Sequence, residues 1–168
     1  MARVAILVEE QYQVLEVWYP YFRLIEEGME VDLIGTGKAI YPSKEGYPCE
    51  VNKQISEVKA SDYQGVVIPG GWAPDFLRRF PEINKFVRDI FDAGACVASI
   101  CHGGWVLTSA DVVKGKKATS FIAIKDDMVH AGAEYLDEEV VVDGNLITSR
   151  TPFDLPAFTK AVIDFISK

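Results

Sequence analysis

Short apolar runs alternate along this chain with longer stretches in which apolar residues recur at helical spacing. Continuous apolar runs of four to eight residues are typical of strands that are buried on both faces of a sheet. Two such runs occur here, Arg3 to Val8 after its first residue and Gly65 to Pro69. Met29 to Ile34 and the small and β-branched residues of Ala95 to Ile100 predict two further strands, which makes four in all.

Amphipathic stretches between and after these runs predict helices. Val14 to Glu27 carries a wide apolar stripe, and Pro81 to Ala93 begins with a first-turn proline. A further helix starts near Trp105, and Leu155 to Ile166 follows Asp154, which is a predicted N-cap. This alternation predicts an α/β fold with a parallel sheet covered on both faces, in which ligands bind beyond the carboxyl ends of the strands.

Two hairpins complete the predicted elements. Ile40-Tyr41 pairs with Tyr47 to Val51, and Val140 to Thr148 turns at Asp143-Gly144. No internal repeat, low-complexity tract or linker interrupts the pattern, and 168 residues is about the length of one domain. We expect one domain over residues 1–168.

The charge balance argues against several classes of partner. The 17 Lys and Arg residues and 25 Asp and Glu residues give a net charge of −8, so no excess positive surface meets nucleic-acid phosphates. The N-terminal run reaches Glu9 too soon for a signal peptide, and the longest uncharged stretch, Ala93 to Ala110, is too polar for a membrane span. We expect a cytoplasmic protein without nucleic-acid or membrane partners.

The three cysteines are Cys49, Cys96 and Cys101, an odd number that predicts free thiols instead of a disulfide framework. No metal site is expected, because the two histidines and three cysteines lack close ligand spacing. Cys96 lies in mid-strand and is predicted to be buried and inert. Cys49 lies in a hairpin and is predicted to be an ordinary thiol.

Cys101 lies where a buried strand turns abruptly into a helix. The segment Ser99-Ile-Cys-His-Gly103 has small residues two positions before and two positions after the thiol. This pattern is typical of a nucleophile elbow, because no bulky side chain fits beside a backbone that folds back on itself. The N-terminus of the following helix favours an exposed thiolate. The alternative is that Cys101 is a small buried hydrophobic residue.

Two further segments bear on the same site. Gly70 and Gly71 end a neighbouring strand, and their N–H groups, with the amide of His102, predict an oxyanion hole. The alternative is a tight turn that requires positive φ. The side chain of His102 is expected to diverge from that of Cys101, so an acid that orients it has to come from elsewhere.

Glu16 lies within the apolar stripe of the first predicted helix. A carboxylate among apolar neighbours is costly unless it is paired or protonated, and one interpretation is therefore that Glu16 has a functional role. The alternative is that Glu16 marks the solvent edge of the helix. The pattern of residues favours neither interpretation.

Taken together, these residues resemble the DJ-1/PfpI superfamily, and in particular the PfpI-like intracellular cysteine peptidases. The combination of a Cys-His-Gly elbow, a Pro-Gly-Gly loop and an upstream Glu is highly specific. The resemblance covers nearly the whole chain and is carried by Tyr19 to Leu24, Val67 to Gly71 with Ala73-Pro74, Ala98 to Gly103, Ile124 to Met128 and Glu139 to Asn145.

This resemblance implies a flavodoxin-like three-layer sandwich with a mostly parallel central sheet, similar to that of class I glutamine amidotransferases. It implies that Cys101 is the nucleophile, that Glu16 hydrogen-bonds its sulfur, and that no cofactor is needed. It also implies that His102 meets an acid from another subunit of a homo-oligomer. The matching position is Asp75, where relatives commonly carry Glu.

Several residues around the implied pocket depart from the family pattern. Gln11 and Gln13 stand where relatives often have Glu, and Trp72 replaces a common Arg. The Pro that relatives usually carry after Cys-His-Gly is replaced in the segment that contains Trp105, and Phe121 replaces a Tyr. Each change makes the mouth of the pocket less charged or more aromatic. We therefore expect Trp72, Trp105 and Phe121 to contact the substrate.

Three functions are compatible with such a site. A cysteine hydrolase would attack a peptide or small amide through a thioester. A glyoxalase III or deglycase would add the thiolate to an α-oxoaldehyde, with Glu16 moving the proton. A non-enzymatic redox or stress sensor would oxidise Cys101 to a sulfinate. A glutamine amidotransferase is less favoured, because His130 is not part of a His-x-Glu pair. We favour an enzyme, of the hydrolase or glyoxalase type, over a sensor.

Overall fold

The computed structural model describes residues 1–168, which form eleven strands and six helices. The strands are β1 (Arg3–Leu7), β2 (Glu30–Gly35), β3 (Ile40–Pro42), β4 (Pro48–Glu50), β5 (Lys53–Gln54), β6 (Gly65–Ile68), β7 (Cys96–Ile100), β8 (Lys117–Ala118), β9 (Glu134–Tyr135), β10 (Val141–Asp143) and β11 (Leu146–Ser149). The helices are α1 (Val14–Glu26), α2 (Ala73–Leu77), α3 (Pro81–Asp92), α4 (Gly104–Ser109), α5 (Lys125–His130) and α6 (Leu155–Ile166).

Seven strands form the central sheet in the order β10-β11-β7-β6-β1-β2-β5. Every neighbouring pair is parallel except β10 and β11, which are antiparallel. Helices α1 and α6 pack against each other, and α4 packs against α2 and α3. The result is the α/β three-layer sandwich with a mostly parallel sheet that the sequence predicts.

The four predicted strands are confirmed as β1, β2, β6 and β7, and both predicted hairpins form, as β3–β4 and β10–β11. The residues of β1, β6 and β7 that are predicted to be buried on both faces are buried. The short helix α2, the strand β5 and the parallel pair β8–β9 were not predicted, because none of these short segments contains a continuous apolar run.

The first turn of α1 is fixed by Gln13, whose side-chain oxygen accepts hydrogen bonds from the N–H groups of Leu15 and Glu16 at 2.7 and 3.1 Å. Such an N-cap satisfies backbone donors that have no partner within the helix. The helix continues without a break through Pro20. Its start therefore holds Glu16 at the carboxyl edge of the sheet, next to the loop that follows β1.

Asp154 precedes α6 as predicted, but its carboxylate does not cap the helix. Its backbone already has helical angles, φ −84° and ψ −6°, because a 3₁₀ turn over Pro152–Asp154 leads directly into α6. A capping side chain requires an extended backbone at that position. The Asp154 carboxylate instead accepts hydrogen bonds from the backbone and guanidinium N–H groups of Arg150 at 3.0 to 3.1 Å.

The helices of this fold are short. None of them has the length and apolar composition needed to cross a membrane.

Candidate active site

Cys101 occupies a strained backbone conformation at the end of β7. Its φ is +60°, which is uncommon for a residue with a side chain, whereas Ile100 before it is extended. A 3₁₀ turn over Cys101–Gly103 then leads directly into α4. The predicted nucleophile elbow is therefore present, with the thiol at the carboxyl end of a central strand.

The small neighbours of Cys101 are required by close packing. A Cβ atom on Gly103 would lie 2.6 Å from the carbonyl oxygen of Ile68 and 3.2 Å from the Cβ of Ser99. The backbone of β6 therefore passes directly beside the turn. A larger residue at Gly103 would push these two strands apart and displace the thiol.

The thiol of Cys101 is nearly buried, with 8% of the residue exposed, and this corrects the expectation of an exposed thiolate. Burial, and secondarily the negative charge of Glu16, raise the pKa of Cys101 to about 12. The N–H groups of His102 and Gly71 point at the sulfur and lower its pKa by a smaller amount. Desolvation thus outweighs the helix N-terminus, and the thiol needs a base.

Glu16 is fully buried, so it is not at the solvent edge of α1. Its Oε2 atom accepts a hydrogen bond from the N–H of Gly70 at 2.6 Å, and its Oε1 atom has no hydrogen-bond partner. Burial raises the pKa of Glu16 to about 7, and the Gly70 N–H opposes this increase. A carboxyl group with this pKa can both take up and release a proton near neutral pH.

Gly70 separates the carboxyl group from the thiol. A Cβ atom at this position would lie 2.7 Å from the Cβ of Cys101 and 2.7 Å from Oε2 of Glu16. The two side chains therefore approach each other across a residue that has none. The same geometry corrects one part of the predicted oxyanion hole, because the N–H of Gly70 is already bonded to Glu16.

The N–H groups of Gly71 and His102 remain as candidate donors, since both face the sulfur. Gly71 has a φ of +72°, and a Cβ atom there would lie 2.5 Å from the carbonyl oxygen of Gln11. Only glycine fits this turn, so the tight-turn interpretation holds for Gly71, whereas its role as an oxyanion-hole donor stays a prediction.

The His102 ring does not diverge from the thiol, which corrects the expectation for consecutive side chains in an elbow. Its Nδ1 atom lies 3.3 Å from the sulfur of Cys101, because the positive φ of Cys101 and the 3₁₀ turn bring the two side chains together. The ring stacks on Phe121 at 4.9 Å and contacts Trp105 and Trp72 at 5.2 and 5.3 Å between centroids. Burial, followed by the charge of Lys44, lowers the pKa of His102.

Asp75 lies on α2, and its carboxylate accepts a hydrogen bond from Arg79 at 2.6 Å. The only side-chain hydrogen bond of His102 is the contact with Cys101. That Asp75 meets His102 of another subunit therefore stays a prediction.

A cavity of about 170 Å³ opens above the thiol. Of the aromatic residues predicted to contact the substrate, Trp72 and Phe121 line it. Trp105 does not, because its indole N–H is bonded to Asp127 at 2.8 Å. Nine residues line the cavity: Gln13, Glu16, Lys44, Gly71, Trp72, Cys101, His102, Phe121 and Pro152.

Lys44 and Pro152 give no signal in the sequence pattern, because they come from a hairpin turn and from the 3₁₀ turn before α6, which only the tertiary fold brings to the site. No group of three or more His, Cys, Asp or Glu side chains is arranged to hold a metal ion. The chemistry available in the cavity is therefore that of a thiol, a carboxyl group, an imidazole and an ammonium group.

The structure is that of an α/β three-layer protein with a mostly parallel sheet, in which a cysteine with positive φ lies beside a buried carboxyl group at the end of a central strand. The chain belongs to the DJ-1/PfpI family, whose model matches residues 2–165.

Relatives cover nearly the whole length of the chain. The deglycase PfpI of Pyrococcus furiosus is 40% identical, over 98% of this chain and 99% of that protein. The putative cysteine protease YraA of Bacillus subtilis is 38% identical, over 98% of each chain. A crystal structure from Anabaena variabilis, of a protein with DJ-1/ThiJ/PfpI-like and ferritin-like domains, is 44% identical with a TM-score of 0.96 over 99% of this chain. This chain spans 48% of that two-domain protein.

Proposed function

We propose that the protein converts α-oxoaldehydes, free or as adducts with amino groups, to 2-hydroxy acids, which is the glyoxalase or deglycase reaction. One observation carries this proposal. Glu16, a buried carboxyl group with one oxygen atom unpartnered, lies beside the Cys101 thiol in a cavity of about 170 Å³. A space of this size suits a small carbonyl compound better than an extended peptide.

The first step uses Glu16 as a base. Its carboxylate takes the thiol proton of Cys101, and this transfer also removes the negative charge that disfavours the thiolate. The sulfur then adds to the carbon of the free aldehyde, or displaces the amine of an adduct as the C–N bond breaks and the amine leaves with a proton, and either route forms a hemithioacetal. The N–H groups of Gly71 and His102, which face the sulfur, are placed to stabilise the oxygen that gains charge.

The second step is an internal proton transfer. Glu16 passes the thiol proton on to the hemithioacetal oxygen, or to the leaving amine of an adduct, and is then a carboxylate again. It removes the hydrogen from the former aldehyde carbon as a proton, and the adjacent carbonyl carbon receives a proton. The product is a thioester of a 2-hydroxy acid, which water hydrolyses to release the acid and restore the thiol. One carbon is oxidised and its neighbour is reduced, so the reaction consumes only water and needs no external oxidant or reductant.

The name of the Pyrococcus furiosus relative, a deglycase, supports this reaction at the level of the family. Peptide or amide hydrolysis is a second candidate, and the contact of 3.3 Å between the His102 ring and the Cys101 sulfur favours it, because cysteine hydrolases use such a pair. In a hydrolase the imidazole would protonate the leaving amine. In the glyoxalase reaction the carboxyl group of Glu16 is the required proton carrier.

The test measures methylglyoxal consumption and lactate formation with the wild-type protein and the variants Cys101→Ser and Glu16→Gln. We expect both variants to lose activity by on the order of a hundredfold or more, since each removes a group from the proton transfer. Cys96→Ala, which alters a buried thiol outside the cavity, is the matched control and should retain activity.

An amide reporter assay on the same proteins separates the alternatives. Hydrolysis that depends on Cys101 but not on Glu16, without lactate formation, would establish the hydrolase instead. Absence of both activities, with rapid oxidation of Cys101 to a sulfinate under peroxide, would favour the sensor.

A further inference from the structure

The tip of the β3–β4 hairpin carries a lysine to the mouth of the catalytic cavity. Lys44 lines this cavity together with Gln13, Trp72 and Phe121. The lysines that form salt bridges are Lys38, Lys85 and Lys160, so the ammonium group of Lys44 has no carboxylate partner in the chain. An unpaired cation at the entrance of an active site is available to a ligand.

The backbone around Lys44 is held rigidly. Its N–H donates to the carbonyl oxygen of Tyr12 at 2.9 Å, which ties the hairpin tip to the loop before α1. The buried hydroxyl of Ser43 accepts hydrogen bonds from the N–H groups of Glu45 and Tyr47 at 3.1 and 2.9 Å, which closes the turn. The position of the lysine relative to the cavity is therefore built into the fold.

Lys44 makes the site locally positive in a chain whose net charge is −8. Its charge acts on all three reactive groups, because it lowers the pKa of Glu16, of Cys101 and of His102. Glu45, on the same hairpin tip, opposes this effect at Glu16. At Cys101 and His102 the charge of this hairpin tip that contributes to the lowering of the pKa is that of Lys44.

The geometry points to Lys44 as the residue that selects carbonyl substrates carrying an anionic group, such as a carboxylate, over uncharged substrates of the same size. The carbonyl carbon of such a substrate would meet Cys101, its carbon chain would lie between Trp72 and Phe121, and its anionic end would meet Lys44 at the mouth. This inference deepens the proposed function. The identity of the reaction rests on the proposed function, whereas the role of Lys44 in selecting anionic substrates does not.

A pair of alkylating reagents tests the inference without any turnover. Iodoacetate and iodoacetamide have nearly the same size, and each forms a bond from sulfur to carbon as iodide leaves, but only iodoacetate is an anion. The measured quantity is the ratio of their rate constants at Cys101, divided by the same ratio for free N-acetylcysteine. Lys44→Met should lower this ratio by about tenfold, the effect expected for one charge-assisted contact, and Lys44→Arg should retain it.

The control is Lys114→Met, which removes one exposed charge in a turn after the end of α4, outside the residues that line the cavity. The normalised ratio of the iodoacetate and iodoacetamide rate constants for Lys114→Met should equal that of the wild-type protein. Equal ratios for the wild-type protein and Lys44→Met would overturn the inference, whatever the enzyme does to methylglyoxal.

Turnover provides a second measurement, with an α-oxoaldehyde that carries a terminal carboxylate, 4,5-dioxopentanoate, and its uncharged amide. Lys44→Met should lower kcat/KM for the acid about tenfold relative to the amide. An unchanged relative kcat/KM in an active enzyme would contradict the role of Lys44 while leaving the proposed function intact. Inactivity of the wild-type protein on both compounds would instead contradict the proposed function, and the alkylation ratio would still decide on Lys44.

Discussion

The N–H of Gly70 donates a hydrogen bond of 2.6 Å to Oε2 of Glu16, and this contact joins the loop after β6 to the first turn of α1. It fixes one oxygen of a fully buried carboxyl group and leaves the other, Oε1, without a partner. A buried carboxylate with an unused oxygen is costly to ionise. That cost is the physical reason why Glu16 can hold a proton at neutral pH.

The stability of the protein should therefore depend on pH through Glu16. Burial raises the pKa of Glu16 from an ordinary value of 4.5 to about 7, so its contribution to stability is present at low pH and is lost as the pH rises to about 7. Glu16→Gln has no ionisation to lose. We expect this variant to be more stable than the wild-type protein by about 3 kcal/mol at about pH 8, with the difference disappearing below about pH 4.5.

Urea unfolding of both proteins across this pH range measures the difference directly. In the difference between the two free energies of unfolding, the contributions from titration of the other acidic groups cancel, because both proteins share these groups. A difference between the two proteins that does not change with pH would mean that Glu16 is ionised without cost in the folded protein.

Gly70→Ala tests the close approach of Glu16 and Cys101. The added Cβ would lie 2.7 Å from Oε2 of Glu16 and from the Cβ of Cys101, so one of the two side chains must move. We expect a loss of activity of at least about tenfold, with a loss of stability of about 1–3 kcal/mol.

Gly65→Ala is the matched control, at the other end of the same strand, where the closest atom to the new Cβ is the flexible end of Ile166 at 3.0 Å. It should lose some stability but keep its activity. Full activity in Gly70→Ala would show that the spacing of thiol and carboxyl group does not matter for the reaction.

Thiol reactivity should be confined to Cys101. Cys49 is fully buried and burial raises the pKa of its thiol to about 12, so the prediction of an ordinary thiol is wrong. Burial likewise raises the pKa of Cys96 to about 12. Cys101 has a similarly raised pKa, but it alone opens into a cavity and has a carboxylate beside it that can take its proton. Access of the reagent to the thiol and the presence of a local base therefore decide which cysteine reacts first.

Mass mapping after brief treatment with iodoacetamide should find the label on Cys101 alone, and Cys101→Ser should remain unlabelled. Glu16→Gln should slow the labelling of Cys101 without exposing the other two cysteines. Labelling of Cys49 or Cys96 ahead of Cys101 would contradict the assignment of the nucleophile.

Much of the fold could be predicted from the sequence, because β6, β7 and all of β1 after Arg3 are buried on both faces and consist almost entirely of apolar residues. The elbow was predictable for a related reason, since Ser99 and Gly103 leave space that only a sharp turn requires. Both signals are local, so the amino-acid pattern contains them.

The remaining features of the site depend on backbone direction and on distant segments. Whether the N–H of Gly70 faces a substrate or Glu16 depends on the packing of α1 against the loop after β6. The contact of His102 with Cys101 follows from a φ of +60° at the cysteine, which residue types do not specify. Lys44 reaches the cavity through a bridge between Tyr12 and Ser43, two residues far apart in sequence.

Assembly of the site across two subunits is the last prediction. The His102 ring contacts three aromatic rings and the Cys101 sulfur, but no carboxylate of its own chain orients it. Asp75 lies on α2 with 44% of its side chain exposed, and its present partner is Arg79, which is 60% exposed. A carboxylate so placed is free to meet a second subunit, so we propose a homo-oligomer in which Asp75 of one chain approaches His102 of another.

Light scattering should give at least the mass of a dimer, and Asp75→Asn should lower activity by about tenfold, whereas Arg79→Ala, which breaks the same ion pair from the other side, should not. Mixing Cys101→Ser with Asp75→Asn under subunit exchange should restore on the order of a quarter of wild-type activity. This follows because about half of the dimers are then mixed and each has one complete site. A fully active monomer would rule out the shared site, because His102 would then work without any acid from a partner.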